Sequence, residues 1–203
     1  MNRPAKLLCI VIFCFFIFIL TGCINEKISP NEYYVIGALR DSSPVVSSHK
    51  TIKVLNITVS QVFDSSNLVY KLTGNKFEED YYNRYFANVG VMIQKSLTKW
   101  LSDSNLFDSV LDSRSLADVD YTLEGHIIDI YGDFSDRTTP SAVVSMQFVL
   151  LDGLGRSSGS IKEWKYTQRV DVSNKSPESL IDAYNIAFSK IFTSIEKDLA
   201  EAI

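Results

Sequence analysis

The spacing of apolar residues predicts two amphipathic helices, one in the middle of the chain and one at its end. In both, apolar residues recur at intervals of three and four, which gathers them on one helical face. Asn88 can cap the first helix, and Ser176-Pro177-Glu178 suits the start of the second. Both faces are expected to pack on a sheet, although the second would also suit a coiled coil. The apolar positions are Val89, Met92, Ile93, Leu97, Trp100 and Leu101, then Ile181, Tyr184, Phe188, Ile191, Ile195 and Leu199.

Alternation of apolar and polar residues predicts short strands in the first half of the chain. Tyr33 to Leu39 and Ile52 to Phe63 are expected strands, and Leu68 to Leu72 is expected to return as the hairpin partner of the latter. A tyrosine-rich piece from Phe77 to Phe86 is expected to form a short strand and a turn. Phe107 to Leu111, after the first helix, is expected to be another short strand.

Three longer strands between the helices predict an antiparallel meander with one solvated face. The first opens at Tyr121, and its alternation slips at Ile127-Ile128, which indicates a β-bulge or burial on both sides. The second runs from Ala142 to Leu151, and the third alternates regularly between Trp164 and Val172. With the helices, this pattern predicts an α+β fold: a mixed, largely antiparallel sheet packed with two main helices as an α/β sandwich.

The N-terminus has the layout of an export signal rather than of a membrane span. Arg3 and Lys6 precede an apolar run from Leu7 to Leu20. This run of about 14 residues covers roughly 21 Å as a helix, whereas the hydrocarbon core is about 30 Å thick. It closes with Leu20-Thr21-Gly22-Cys23, which resembles a bacterial lipobox. We therefore expect cleavage before Cys23 and attachment of a diacylglycerol to its thiol.

This processing divides the chain into a signal peptide (1–22), a short membrane tether (23–32) and a single periplasmic α+β domain (33–203). The mature chain of about 181 residues is long enough for one domain with a substantial core. The tether of about ten residues reaches roughly 35 Å at most, so the domain is expected to work close to the membrane surface.

The net charge limits the classes of partner, and the positions of the cysteines limit the possible disulfide bonds. Removing residues 1–22 takes away two of the 20 basic residues and none of the 24 acidic ones, which leaves a net charge of about −6. An acidic chain without basic runs argues against nucleic acid as a partner. Cys9 and Cys14 lie in the signal, and Cys23 is the expected lipidation site, so no thiol remains for a disulfide.

The chain lacks a recognisable constellation for catalysis or metal binding, so we expect no enzyme, no metal and no cofactor. His49 and His126 have no neighbouring histidine or cysteine at metal-ligand spacing. Asp129, Asp133 and Asp136 cluster near a strand end, but solvation is favoured over a weak cation site because a calcium-loop pattern is missing. No serine stands in a Gly-x-Ser-x-Gly elbow, which also disfavours a lipid-tethered hydrolase.

The candidate site for binding a partner is aromatic. Tyr81, Tyr82, Tyr85 and Phe86 fall within six residues and accompany Arg84. Such a cluster can form an exposed patch that binds a partner or faces lipid. It can also form a core corner between the sheet and the first helix. The sequence leaves both interpretations open.

Short motifs follow one another in a distinctive order along the mature chain. They are Tyr33-Tyr34-Val35-Ile36, Leu68-Val69-Tyr70, Asp80-Tyr81-Tyr82-Asn83-Arg84-Tyr85-Phe86, Leu101-Ser102-Asp103-Ser104-Asn105-Leu106-Phe107-Asp108-Ser109-Val110, Tyr121-Thr122-Leu123-Glu124-Gly125-His126 and Leu150-Leu151-Asp152. In this order, and with a C-terminal helix after them, they resemble the ABC-type transport auxiliary lipoproteins. These are the lipoprotein partners of Mce-type intermembrane lipid transporters, which include the paraquat-inducible system.

The resemblance implies a non-enzymatic auxiliary subunit that is lipid-anchored in the bacterial outer membrane and faces the periplasm. An Mce-domain protein would bridge the envelope, and the lipoprotein would dock its far end. Ile24 after Cys23, rather than Asp, resembles the sorting context for delivery to the outer membrane. A homo-oligomer is left open. The alternative is an outer-membrane activator of peptidoglycan synthases, a class that generally needs a longer tether to cross the cell wall.

Overall fold

The computed structural model describes residues 30–136, 138–153 and 162–203, and these form two helices and one nine-stranded sheet. The signal peptide (1–22) and Cys23 lie outside the described residues. The elements confirm the predicted α+β class. In chain order they are β1 (Glu32–Tyr34), β2 (Thr51–Val54), β3 (Thr58–Val59), β4 (Asn67–Lys71), β5 (Phe77–Tyr85), α1 (Val89–Ser104), β6 (Ser109–Asp112), β7 (Tyr121–Asp133), β8 (Ser141–Asp152), β9 (Lys162–Asp171) and α2 (Pro177–Ala202).

The long strand β7 organises the sheet. Along one side it pairs antiparallel with β8 over its full length, and β9 continues the predicted meander beyond β8. Along the other side it pairs in parallel with β2, then β3, then β4. The register between β7 and β8 shifts between Ile127 and Asp129, so the slip in alternation at Ile127-Ile128 marks a β-bulge.

The strands of the first half pair differently from the prediction. The expected strand from Ile52 to Phe63 is two strands, β2 and β3, which contact successive stretches of β7. The expected hairpin with Leu68 to Leu72 is wrong, because β3 and β4 both run parallel to β7 and a hairpin would make them antiparallel. Instead, β4 pairs antiparallel with β5, and β1 closes the sheet edge beyond β5 in parallel.

The expected strand from Tyr33 to Leu39 ends early, at Tyr34, and the chain then passes between the two helices. There, side chains of the helices accept hydrogen bonds from its backbone. The N–H of Gly37 donates to Asn185 Oδ1 at 3.0 Å, and the N–H of Ala38 donates to Ser96 Oγ at 2.8 Å. Because these helical side chains take the place of a neighbouring strand, they satisfy both of these N–H groups although the segment does not belong to the sheet.

A buried ion pair fixes the end of this segment to both helices. The guanidinium of Arg40 donates from Nε and Nη2 to the two carboxylate oxygens of Glu196 in α2, at 3.0 and 2.8 Å. The indole N–H of Trp100 in α1 donates to the same carboxylate at 2.6 Å. The side chains of Arg40 and Glu196 are only 4% and 11% exposed, so this bidentate pair is largely shielded from solvent.

Both predicted helices and their caps are confirmed. Asn88 Oδ1 accepts the N–H of Val91 at 3.3 Å, and Ser176 Oγ accepts the N–H of Ser179 at 3.3 Å. The apolar stripe of α2 is buried against β8 and β9, so it is a core face and not a coiled-coil seam. Within the described residues, neither helix combines the length and apolar character needed to cross a membrane.

A close approach at the start of α1 gives the first testable prediction. A Cβ added at Gly90 would lie 2.2 Å from the carbonyl oxygen of Ile57, a backbone atom that cannot rotate away. Gly90→Ala should therefore lower the free energy of unfolding by about 3 kcal/mol, against the usual preference of helices for alanine. Chemical denaturation measures the change. The control is Val91→Ala at the exposed neighbouring position, and an equal response of both variants would contradict the prediction.

Candidate binding surface

The aromatic motif lies at the sheet edge formed by β1 and β5. The parallel register pairs Tyr33 with Arg84 and Tyr34 with Tyr85, and the N–H of Phe86 donates to the carbonyl of Tyr34 at 2.8 Å. Side chains alternate between the two faces of a strand. Tyr34 and Tyr85 therefore point to the helix side of the sheet, while Tyr33, Arg84 and Phe86 point to the opposite side.

Tyr85 belongs to the hydrophobic core. Its side chain is 4% exposed and lies on the same side of the sheet as Tyr184 of α2, which is fully buried. Burial raises the pKa of both hydroxyl groups. Tyr85 thus fits the core-corner interpretation and does not contribute to an exposed surface.

The other aromatic residues of the motif are exposed. Tyr81 and Phe86 are 72% and 71% exposed, and the rings of Tyr81 and Tyr82 meet edge to face with centroids 5.1 Å apart. Tyr33 and Val35 of the neighbouring edge segment are exposed beside them, and the sequence did not predict them as part of a binding surface. We call this set the aromatic edge surface: Tyr33, Val35, Tyr81, Tyr82 and Phe86.

An irregularity in β5 turns Tyr81 and Tyr82 outward. Val69 of β4 pairs with Glu79, but Asn67 pairs with Arg84, so β5 carries three extra residues between these pairs. The carboxylate of Asp80 holds this bulge together. Its Oδ1 accepts the backbone N–H groups at positions 82 and 83, each at 2.9 Å, and its Oδ2 accepts the side chains at positions 70 and 83, each at 2.8 Å.

The environment of Asp80 favours its charged form. Partial burial acts to raise the pKa of this carboxyl group, but the hydrogen bonds donated by Asn83, Tyr70 and Tyr82 outweigh it and lower the pKa below its usual value. Asp80 is therefore the residue that positions the two exposed tyrosines, and the sequence alone gave no sign of that role.

This hydrogen bonding predicts a pH-dependent stability. Because the pKa of Asp80 is lower in the folded state, its contribution is present above the unfolded pKa of about 3.9 and is lost as pH falls through the folded pKa. Asp80→Asn should lower the free energy of unfolding by about 1–2 kcal/mol at pH 7, and the difference should shrink towards pH 2. Denaturation at both pH values measures it. Glu78→Gln, at an exposed neighbour, is the control, and a deficit independent of pH would contradict the prediction.

Most of the remaining candidates from the sequence have local structural partners. His126 Nδ1 lies 2.8 Å from Thr58 Oγ1, and Asp133 pairs with Arg169 at 3.1 Å. Hydrogen bonds from Thr138 and Thr139 lower the pKa of Asp136 to about 2. In the part of the chain that the structure describes, no group of three or more histidine, cysteine or acidic side chains is placed to hold a metal ion.

The chain belongs to the family of ABC-type transport auxiliary lipoprotein components, whose model matches residues 34–196. This match confirms the resemblance predicted from the motif order. The protein is therefore a lipoprotein auxiliary component of ABC-type transport, and its family is not an enzyme family. The matched range contains the exposed tyrosines of β5 and the Arg40–Glu196 pair.

Two solved structures share the fold. A protein of Xanthomonas campestris from the family DUF330 superposes with a TM-score of 0.67 at 17% identity, over 81% of this chain and 92% of that one. An uncharacterized protein superposes with a TM-score of 0.68 at 12% identity, over 84% of this chain and 99% of that one. At these identities the likeness concerns the fold. No curated protein sequence matches the chain.

Proposed function

We propose that this lipoprotein docks the Mce-domain component of an ABC-type intermembrane lipid transporter at the outer membrane, where acylated Cys23 anchors it. The observation that carries the proposal is the family match over residues 34–196, which is separated by ten residues from the lipobox at Leu20 to Cys23. The match gives the auxiliary role in ABC-type transport, and the lipobox gives the means of attachment. The proposal adds that the partner is an Mce-domain protein and that the membrane is the outer membrane.

The reach of the tether supports a role at the membrane surface. Eight residues separate Cys23 from Glu32, where β1 begins, and the nine steps along the chain between these two positions extend to about 31 Å at most. One acyl chain binds a bilayer only reversibly, whereas two or more give a stable anchor. A domain confined in this way meets a partner at the same membrane at a high effective concentration.

The folded domain offers surfaces for association. One of these, the aromatic edge surface, lies next to the point where the tether enters the domain. Strand β9 lies at the opposite edge of the sheet, and its exposed face carries charged side chains of both signs: Glu163, Lys165, Arg169 and Asp171. A subunit that docks another protein needs such recognition surfaces and no reacting groups.

Recovery of partners from the native envelope tests the proposal. The full chain, tagged at its C-terminus, is expressed in its own host, crosslinked, solubilised in detergent and purified. We expect enrichment of an Mce-domain protein over a control pull-down with an unrelated outer-membrane lipoprotein. Recovery of a peptidoglycan synthase alone would contradict the proposal and favour the alternative activator role.

The outer-membrane location has its own test at Ile24. In the sorting context described above, the residue after the acylated cysteine directs delivery. Ile24→Asp should move most of the protein to the inner membrane, with acylation unchanged. Fractionation of the two membranes on a density gradient measures the distribution, and Asn25→Asp is the matched control with the same introduced charge. Wild-type distribution of Ile24→Asp would contradict outer-membrane sorting.

A further inference from the structure

We infer that the aromatic edge surface rests on the lipid bilayer that holds the acylated Cys23, with the rings of Tyr81, Tyr82 and Phe86 in the headgroup region. This inference rests on the lipid anchor of the proposed function and adds a second, non-covalent membrane contact. It also sets the orientation of the domain, because the sheet edge formed by β1 and β5 then faces the membrane.

The position of the tether favours a lipid bilayer as the binding partner of this surface. Tyr33 and Val35 follow Cys23 by only ten and twelve residues, and they form part of the surface themselves. Ten residues span at most about 35 Å, even when the chain is fully extended. The aromatic edge surface is therefore the part of the domain that the anchor holds closest to the bilayer.

The opposite end of the domain is much farther away. Strand β7 pairs with β4, on the side of the aromatic edge surface, only at its last residues, and it pairs with β2 at its first residues. Twelve steps along a strand span roughly 40 Å. The loop before Tyr121, which carries the 98% exposed Leu116, thus lies at the far end of the sheet.

The chemistry of the surface suits an interface between water and lipid. Tyrosine rings are amphipathic and collect at the headgroup level of membranes, where the ring contacts acyl chains and the hydroxyl group stays hydrated. Phe86 adds a fully apolar ring, and Arg84 lies on the same face beside Tyr33. Because the anchor already holds the domain at the membrane, a weak insertion of these rings is sufficient for a populated contact.

The charges near the surface argue against a contact driven by electrostatic attraction. The acidic Glu32 and Glu79 are exposed beside the aromatic residues, and Arg84 is the basic residue among them. This balance gives no attraction to an anionic surface. The contact therefore depends on ring insertion and not on attraction between charges, and added salt should not weaken it.

A single-cysteine label can report the contact. With the signal removed and Cys23 acylated, an introduced cysteine is the one free thiol of the mature chain. Acylated full-length Tyr81→Cys and Phe86→Cys are labelled with an environment-sensitive dye and reconstituted into vesicles of phosphatidylethanolamine and phosphatidylglycerol at a three-to-one ratio. Leu116→Cys is the matched control. Vesicle flotation reports the anchor, and quenching by lipids with a nitroxide on the headgroup reports the contact.

The inference expects quenching of about half of the dye emission at positions 81 and 86 and of less than about a tenth at 116, at low and high salt alike. Flotation with unquenched dye at all three positions would overturn the inference and leave the anchor in place. Failure to float would overturn the anchor itself. A change in dye emission that appears only after an Mce-domain protein is added would assign the surface to a protein interface and overturn the lipid contact. A change that rises with protein concentration in the absence of vesicles would do the same.

Discussion

Replacing Glu196 with alanine should lower the free energy of unfolding by about 3–5 kcal/mol. The substitution leaves the guanidinium of Arg40 buried without its counter-charge and removes the acceptor of the Trp100 indole N–H. Both groups lose charge-assisted hydrogen bonds while they remain shielded from water. Denaturant unfolding followed by circular dichroism measures the loss at neutral pH.

Two further variants separate the charge pair from simple packing. The double substitution Arg40→Met with Glu196→Leu removes both charges and keeps apolar volume, so it should recover most of the lost stability. Lys197→Ala, at the exposed neighbouring position in α2, is the surface control and should change stability by less than about 0.5 kcal/mol. If Glu196→Ala lowers the free energy of unfolding by less than about 1 kcal/mol, the ion pair does not contribute substantially to stability.

Cys23→Ser should abolish membrane attachment. Serine cannot form the thioether to diacylglycerol, so the protein loses the acyl chains that give stable binding. We expect the variant to leave the detergent phase of a Triton X-114 separation almost completely, whereas the wild-type protein stays in it. Metabolic labelling with a fatty acid shows at the same time whether acylation is lost.

The chain contains its own matched control for this experiment. Cys14 has the same side chain but lies within the expected signal peptide, so Cys14→Ser should leave acylation and partitioning unchanged. Unchanged partitioning of Cys23→Ser would contradict the lipobox interpretation. Equal loss in both variants would instead point to a defect of export.

The elements with complete local signals could be predicted from the sequence. Both helices combine a capping residue with an apolar stripe, and those two signals fix the start and the buried face of α1 and α2. The meander was also predictable, because β7, β8 and β9 alternate regularly and the alternation slips at the bulge near Ile128. Each of these signals is contained in a few neighbouring residues.

Strand pairing in the first half could not be predicted in the same way. A two-residue period shows that a segment is extended and has a buried face, but it does not name the neighbouring strand. The stretch from Ile52 to Val59 is extended on both sides of a break, but its core positions change phase from Ile52 and Val54 in β2 to Ile57 and Val59, although β2 and β3 pair with the same strand β7. Val35 to Arg40 has strand-like composition, yet side chains of the helices, rather than a strand, bind its backbone.

The candidate surface was predictable only in part. The density of aromatic residues indicated Tyr81, Tyr82 and Phe86 as candidates for an exposed surface. It could not show that these three are exposed while Tyr85 is buried. This difference depends on the register between β1 and β5 and on the bulge held by Asp80, which are tertiary features. Tyr33 and Val35 could not be assigned to the surface from the sequence, because their position beside β5 also depends on the pairing of β1 with β5.

The side-chain contacts that hold Val35 to Arg40 between the two helices have a mechanical consequence for an anchored domain. Any pull from the membrane enters the fold through β1, the first element after the tether. Three paired residues of a parallel ladder would resist such a load weakly on their own. The next residues, however, are bound to Ser96, Asn185 and Glu196, so tension passes directly into both helices and bypasses the edge of the sheet.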